Sequence, residues 1–284
     1  MKPPPFDYIR PESVEEALDR VAGAGGDAKI LAGGQSLVPL LNMRLLRPAL
    51  VIDVNRVPGL DAVEARNGAV AVGALVRQRS LAESPLARDR LPLVTEALPL
   101  VGHFATRSRG TVGGSIAHAD AAAELPLCLT VLGGSVVAAS SRGRREIFAD
   151  EFFVSHFTTS LAPDELVVET VWPAAGDGWG FAFEEFAQRR GDYGLSMAAA
   201  ALRVEDGAVA EARVGVASVV DRPTLLEAGL VGRAVDAAAA REAGEAGAAA
   251  AETWGSLHAS AAYLRRLTSV CVERAVLRAW ERAT

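Results

Sequence analysis

The chain twice runs straight through a pair of glycines into a helix start, and no other feature restricts its fold as much. Lys29-Ile30-Leu31-Ala32 reads as a short buried strand, Gly33-Gly34 follows at once, and Ser36 to Leu46 takes a helical pattern with Pro39 tolerated in its first turn. Arg109-Gly110-Thr111-Val112-Gly113-Gly114-Ser115 repeats the theme ahead of His118, Asp120 and Glu124. Such turns gather unshared backbone N–H groups around an anion, and glycine lets a ligand come close to the backbone. No Gly-Lys-Ser/Thr follows, which excludes a Walker A loop, and no GxGxxG dinucleotide fingerprint is present. Taken alone, Gly33-Gly34-Gln35-Ser36 reads first as a plain structural turn. Two such loops in one chain suggest a diphosphate held between lobes.

The residues after the second loop admit two readings. A metal site built on His118 with Asp120 or Glu124 fails for want of a third nitrogen or sulfur ligand at suitable spacing. A carboxylate bonded to ribose hydroxyls, beyond a backbone cradle for phosphate, fits the residue types better.

With 284 residues the chain is long enough for about two domains. Ser13 to Ala22 reads as a capped helix, Val51 to Val54 as a strand, and residues 1–55 as a small α+β lobe. A second lobe, 56–176, holds strands at Ala69–Val72, Ser135–Ala139 and Leu166–Trp172, short helices at Ser80–Ala87 and Leu91–Leu100, and a hairpin turn at Arg142-Gly143-Arg144-Arg145. Gly176-Asp177-Gly178 is the candidate linker. Beyond it, 177–284 carries antiparallel strands at Gly180–Gln188, Met197–Val204 and Ala208–Val219, with Asp206-Gly207 as a hairpin turn. Val231–Ala251 and Ala259–Arg282 read as a surface helix pair, the first rich in alanine.

A net charge of −6 argues against a nucleic-acid partner. Cys128 and Cys271 stand far apart in apolar surroundings and cannot ligate an iron–sulfur cluster, which needs four thiolates. A reduced, cytoplasmic chain without a signal segment or membrane span is the simplest expectation. His103, His156 and His258 have no partners in sequence and read as ordinary satisfied histidines; Gly133-Gly134 reads as a strand-entry turn, and Trp172, Trp179, Trp254 and Trp280 as packing. Arg107, Arg109, Arg189 and Arg190 are open between solvated charges and partner docking or anion steering.

The segments Ala32-Gly33-Gly34-Gln35-Ser36-Leu37-Val38-Pro39-Leu40-Leu41-Asn42-Met43-Arg44 and Arg109-Gly110-Thr111-Val112-Gly113-Gly114-Ser115-Ile116-Ala117-His118 together resemble the two FAD-binding segments of the medium subunit of molybdenum hydroxylases, the family of aerobic carbon monoxide dehydrogenase and xanthine dehydrogenase. Pro5-Phe6-Asp7-Tyr8, Leu161-Ala162-Pro163-Asp164-Glu165-Leu166-Val167 and Gln188-Arg189-Arg190-Gly191-Asp192-Tyr193 resemble it too, so the likeness runs nearly the whole chain. It implies an α+β fold: a two-lobed FAD-binding domain of the vanillyl-alcohol-oxidase (PCMH) type over 1–176, then a medium-subunit domain with an antiparallel sheet and helices over 177–284.

The resemblance further implies that Ala32, Gly33, Gly34, Gln35, Ser36 and Leu37 hold the FAD pyrophosphate, with Thr111, Gly114 and Ser115 on its other side and His118 and Asp120 nearby. Glu124 would stand near the adenosine end, Val101 and Val167 would touch the cofactor, and Tyr193 would lie near the isoalloxazine. No catalytic base or nucleophile set is expected, and no metal. Where xanthine dehydrogenases carry a lysine before the double arginine, this chain has Glu185. Gln35 replaces the histidine that carbon monoxide dehydrogenases often show, which points away from carbon monoxide as substrate. Molybdopterin and [2Fe–2S] clusters are expected on a large and a small partner subunit, in a dimer of heterotrimers, with electrons passing from the clusters through FAD to a terminal acceptor. A stand-alone flavin oxidase and an assembly scaffold without a redox role are the alternatives.

Overall fold

The first helix, Val14–Gly23, begins where Ser13 Oγ accepts the Glu16 N–H at 3.1 Å, and it buries Ala17, Leu18 and Val21. The molecule is described by a computed structural model covering residues 2–253, 255 and 259–284. That helix lies on a parallel three-stranded sheet in which Leu50–Asp53 is central, flanked by Asp7–Ile9 and Ala28–Leu31. The strand at Asp7–Ile9 had no alternating pattern to announce it. The helix expected over Ser36 to Leu46 is shorter, Leu37–Asn42, because the chain turns through Arg44 at φ 59°.

The second lobe is a five-stranded antiparallel sheet in the order Val63–Arg66, Ala69–Gly73, Leu166–Pro173, Ser135–Ser140, Gly143–Phe148. A long excursion of short helices separates its second strand from Ser135–Ser140. The single helix expected over Ser80–Ala87 is two, Gln78–Glu83 and Pro85–Arg90, because Pro85 forces Ser84 out of the helical region, to ψ 125°. The hairpin at Arg142 closes with a two-residue turn, Ser140 pairing with Gly143. Gly133, in the left-handed region, ends the helix Glu124–Leu132 just before the strand, as a strand-entry turn requires.

The third layer is an antiparallel sheet of Trp179–Ala187, Gly194–Glu205, Ala208–Ala217 and Thr224–Leu225 in chain order. Asp206 and Gly207 both take positive φ (51° and 75°), as a tight hairpin turn demands. Both faces of this sheet are buried. Phe181, Phe183, Met197, Ala199 and Ala201 join the core of the second lobe, while Ala182, Ala198, Ala200 and Leu202 pack under the helices Ala237–Ala250 and Ala261–Ala283. The alanine-rich helix is a surface helix as expected, with Ala239, Ala240, Ala243, Gly244 and Gly247 turned inward and Arg241, Glu242 and Glu245 exposed. A Cβ on Gly244 would lie 2.7 Å from the Ser269 carbonyl oxygen, so small residues let the two helices touch backbone to backbone. Trp172 is wholly buried and bonds Thr170 Oγ1 at 2.8 Å, while Trp254 and His258 lie outside the described residues.

Arg213 fastens the third sheet to the second lobe. Its guanidinium donates to the Val131 and Thr130 carbonyls (2.6 and 2.9 Å) at the end of the helix Glu124–Leu132. Those carbonyls lie at the negative end of a helix, where backbone donors run out and only the Gly133 N–H reaches Thr130 (3.1 Å). Arg213→Ala is expected to lower the unfolding free energy by about 1.5–3 kcal/mol, read as a lower denaturant midpoint at unchanged slope.

Candidate functional site

A cleft of about 400 Å³ opens between the two glycine loops, lined by Ala32, Gly33, Gly34, Gln35, Asn55 and Arg109 among others. Gly34, at φ 73°, turns the chain from strand to helix here. The N–H groups of Gly34, Gln35, Ser36 and Leu37 find no acceptor among the described residues. Four consecutive unshared donors beside a guanidinium make a seat for an anion. Gln35 folds back, its Nε2 donating to the Gly33 carbonyl at 3.2 Å.

The cleft floor is a polar network that reading the sequence had missed. Asn55 Nδ2 donates to the Ala32 carbonyl (2.8 Å) and to Asp53 Oδ1 (2.6 Å). Arg77 then spans the loops, donating from one nitrogen to Asn55 Oδ1 (2.7 Å) and from the other to the Arg109 carbonyl (2.6 Å). Burial and the nearby Arg109 charge lower the Arg77 guanidinium from its ordinary value, though an arginine stays charged. Burial alone would raise Asp53, but hydrogen bonds from Tyr8 and Asn55 hold it below the usual carboxylate range. No spacing rule pairs Asn55 with Arg77; only an Asp-x-Asn at a strand end hinted at a site.

The second loop is built differently from the first. Val112 N–H donates to the Val76 carbonyl (2.9 Å), Gly113 to Ala74 (3.0 Å), Gly114 to Thr111 Oγ1 (3.1 Å) and Ser115 to the Thr111 carbonyl (3.1 Å). These N–H groups are spent on the fold, so Thr111 acts as a helix cap, and Ser115 offers its hydroxyl. The glycines serve close approach rather than ligand access. A Cβ on Gly33 would stand 2.6 Å from the Arg109 carbonyl oxygen and 2.8 Å from Gly110 Cα. One on Gly113 would stand 2.5 Å from Ala74 Cβ, and one on Gly114 2.7 Å from Thr111 Oγ1.

The helix Val112–His118 carries the chain about 10 Å onward to a second group of side chains. His118 packs at a tilt on Phe157 (centroids 4.8 Å apart), Phe157 stacks on His156 (3.8 Å), and His156 Nε2 lies 3.3 Å from Asp120 Oδ1. His156 is thus not without partners, and burial lowers the His118 imidazole from its ordinary value. Glu124 is 7% exposed, and burial, reinforced by Glu185, pushes it up to about 8. Tyr193 is 66% exposed overall, yet its hydroxyl is raised by burial and by the charges of Asp120 and Glu124. Val101 and Val167 lie in the core of the second lobe, 9% and 5% exposed.

The charges of Asp120 and Glu124 both reach the Tyr193 hydroxyl. Burial favours the neutral form of the Glu124 carboxyl.

A two-lobed α+β domain with an anion cleft between its lobes, followed by an antiparallel sheet under two helices, is the architecture of a flavoprotein subunit. Residues 4–175 match the FAD-binding domain of molybdopterin dehydrogenases, and 181–279 match the C-terminal domain of the carbon monoxide dehydrogenase flavoprotein. The chain is 42% identical to the alpha subunit of the 6-hydroxypseudooxynicotine dehydrogenase complex of Paenarthrobacter nicotinovorans, covering 100% of this chain and 97% of that one. It is 39% identical to the nicotine 6-hydroxylase medium subunit of the same organism, over 99% and 100%. Among solved structures, carbon monoxide dehydrogenase from Hydrogenophaga pseudoflava superposes with a TM-score of 0.97 at 34% identity, covering 100% of both chains. The chain belongs to the FAD-carrying medium subunits of the molybdenum hydroxylases, and it is an oxidoreductase subunit of multi-subunit complexes with large and small partners.

Gly33→Ala drives a methyl group into backbone atoms of the other loop, whereas Gly34→Ala meets only the ends of Leu31 and Val38, at 3.2 Å. Gly33→Ala is expected to cost about 1–3 kcal/mol of stability and to lower FAD retention with it. Gly34→Ala should cost about 1–2 kcal/mol through its left-handed backbone. Thermal melts and bound-flavin absorbance of both variants check the order.

Proposed function

We propose that this chain holds FAD across its interlobe cleft and passes electrons from the [2Fe–2S] clusters of a small subunit to a terminal acceptor, within a complex that hydroxylates a nicotine-type N-heterocycle. The single observation behind the binding mode is the row of unshared N–H groups from Gly34 to Leu37 on a cleft flanked by Arg109. A diphosphate accepts those four donors, and the positive charges of Arg77 and Arg109 lie close behind them. Gly114 approaches the same loop from the other lobe, where a Cβ on it would reach Ala32 at 3.8 Å. Bound there, FAD supplies a two-electron store between a one-electron donor chain and its acceptor. The protein holds the two lobes at fixed spacing, keeps the anion dry on backbone donors, and places Asp120, Glu124 and Tyr193 at one end of the ligand.

The substrate class rests on the order of the likenesses: 42% and 39% identity to subunits of nicotine-pathway enzymes and 41% to a caffeine dehydrogenase subunit, against 34% to a carbon monoxide dehydrogenase chain. Gln35 in the first loop agrees with that order. The assembly proposed is a dimer of heterotrimers in the cytoplasm. Among the described residues no helix is long and apolar enough to cross a membrane, and no group of metal-ligating side chains could hold an ion. We place the molybdenum and clusters on the partners, in keeping with the homologous complexes.

Purified with its partners, the complex is expected to carry one FAD per copy of this chain and to bleach its flavin on addition of a nicotine-type heterocycle. Asn55→Ala, which unties Ala32 from Arg77, is expected to raise the FAD dissociation constant roughly 10-fold, the loss of one to two hydrogen bonds. A complex that turns over without flavin in this chain would overturn the reading.

A further inference from the structure

Asp53 is a carboxylate in the wall of a cleft otherwise equipped for an anion. It ends the strand Leu50–Asp53 and pairs in register with Leu31, which precedes the glycine loop and its row of unshared N–H groups. Tyr8, on the neighbouring strand Asp7–Ile9, donates its hydroxyl to Asp53 Oδ2. Asn55 gives Oδ1 both its backbone N–H (3.0 Å) and its Nδ2 (2.6 Å). A carboxylate has room for about four such bonds, so these partners fix its plane and leave it able to accept once more. They also favour its charged form, against the effect of burial. Held as an anion in the same cleft as a diphosphate, Asp53 repels the ligand unless the ligand also brings it a donor. The cleft changes character beside it: Leu31, Val38 and Pro39 form an apolar wall, unlike the N–H row and Arg109.

We propose that Asp53 selects the nucleotide half of FAD, accepting a hydrogen bond from a ribose hydroxyl while the base lies against Leu31, Val38 and Pro39. The proposal rests on the reading that the diphosphate occupies the row from Gly34 to Leu37, and it adds which end of the cofactor enters the first lobe. A nucleoside diphosphate carries the three chemistries that the cleft carries. Its phosphates suit the backbone donors, its sugar hydroxyls suit a carboxylate, and its flat base suits an apolar wall. Inorganic pyrophosphate has neither sugar nor base and meets Asp53 only as a like charge, so the residue discriminates against it. In this proposal Asp53, rather than Glu124, serves the adenosine end. Asp53 is the binding residue; Tyr8 and Asn55 are positioning residues that act through it.

The test is displacement of FAD from the flavin-loaded full chain, with the released flavin measured by absorbance after ultrafiltration. The competitors are ADP, 2′,3′-dideoxy-ADP and inorganic pyrophosphate, compared as ratios so that each variant's own hold on FAD cancels. The wild type is expected to need roughly 10-fold more dideoxy-ADP than ADP, the loss of one hydrogen bond to a charged group. Asp53→Asn keeps the shape and an acceptor for Asn55 but removes the charge. In that variant the ratio should fall toward one, and pyrophosphate should gain on ADP by roughly the same 10-fold. Tyr8→Phe keeps the carboxylate and should keep the preference for ADP. If Asp53 served only to hold Asn55, all three competitors would change together and every ratio would stay at its wild-type value, which would overturn the proposal. Equal displacement by ADP and dideoxy-ADP in the wild type would overturn it too, and that comparison decides alone should Asp53→Asn fail to retain flavin. A flavin that neither ADP nor pyrophosphate displaces would instead overturn the underlying placement of the diphosphate in the cleft.

Discussion

The contact on which the site depends is the one between Gly33 and the backbone of Arg109 and Gly110. Two loops from different lobes meet there without a side chain between them, at a distance that a Cβ would violate. Arg77 locks the same junction by bonding both Asn55 and the Arg109 carbonyl. The first loop then has its backbone donors free because neighbouring groups, not its own N–H atoms, hold it in place. Its strength comes from the floor: Asn55 and Arg77 satisfy the Ala32 and Arg109 carbonyls, Asp53 with Tyr8 holds Asn55 in place, and the N–H groups are left for a ligand.

That arrangement divides the work between two loops that look alike in sequence. The first presents donors; the second spends its donors on Val76, Ala74 and Thr111 and serves as the wall. An anion seat needs both properties, since a free N–H row is useful only when something rigid stands opposite. The third sheet supplies the rigidity at longer range. It is buried on both faces, so it couples the FAD-binding lobes to the two terminal helices through one continuous layer of small side chains.

The electrostatics between the second lobe and the third sheet follow from the same layering. Packing the helix Glu124–Leu132 against the third sheet encloses Glu124 and part of Glu185 where water cannot solvate them. Elsewhere on the same interface, charges are paired: Arg278 and Arg282 bond Glu96, and Arg278 bonds Glu184.

Much was legible before any coordinates. The strand-through-glycine turns, the Ser13 cap, the Asp206-Gly207 hairpin and the terminal helices all rest on local preferences, and each appears where the residues put it, give or take a few positions. The family, and with it FAD and the partner subunits, followed from two glycine segments at the right separation. Other features depended on residues far apart in the chain. Asn55 and Arg77 have no meaning until the loops close over them; Gly33 and Gly113 turned out to need close packing rather than ligand access; Ser84 broke a helix because of its neighbour Pro85. Local sequence decides which elements form, because caps, turns and periodicity act over a few residues. Which N–H groups stay free, and which carboxyls keep their protons, is decided by desolvation and by contacts between segments, and those exist only once the lobes and the third sheet have packed.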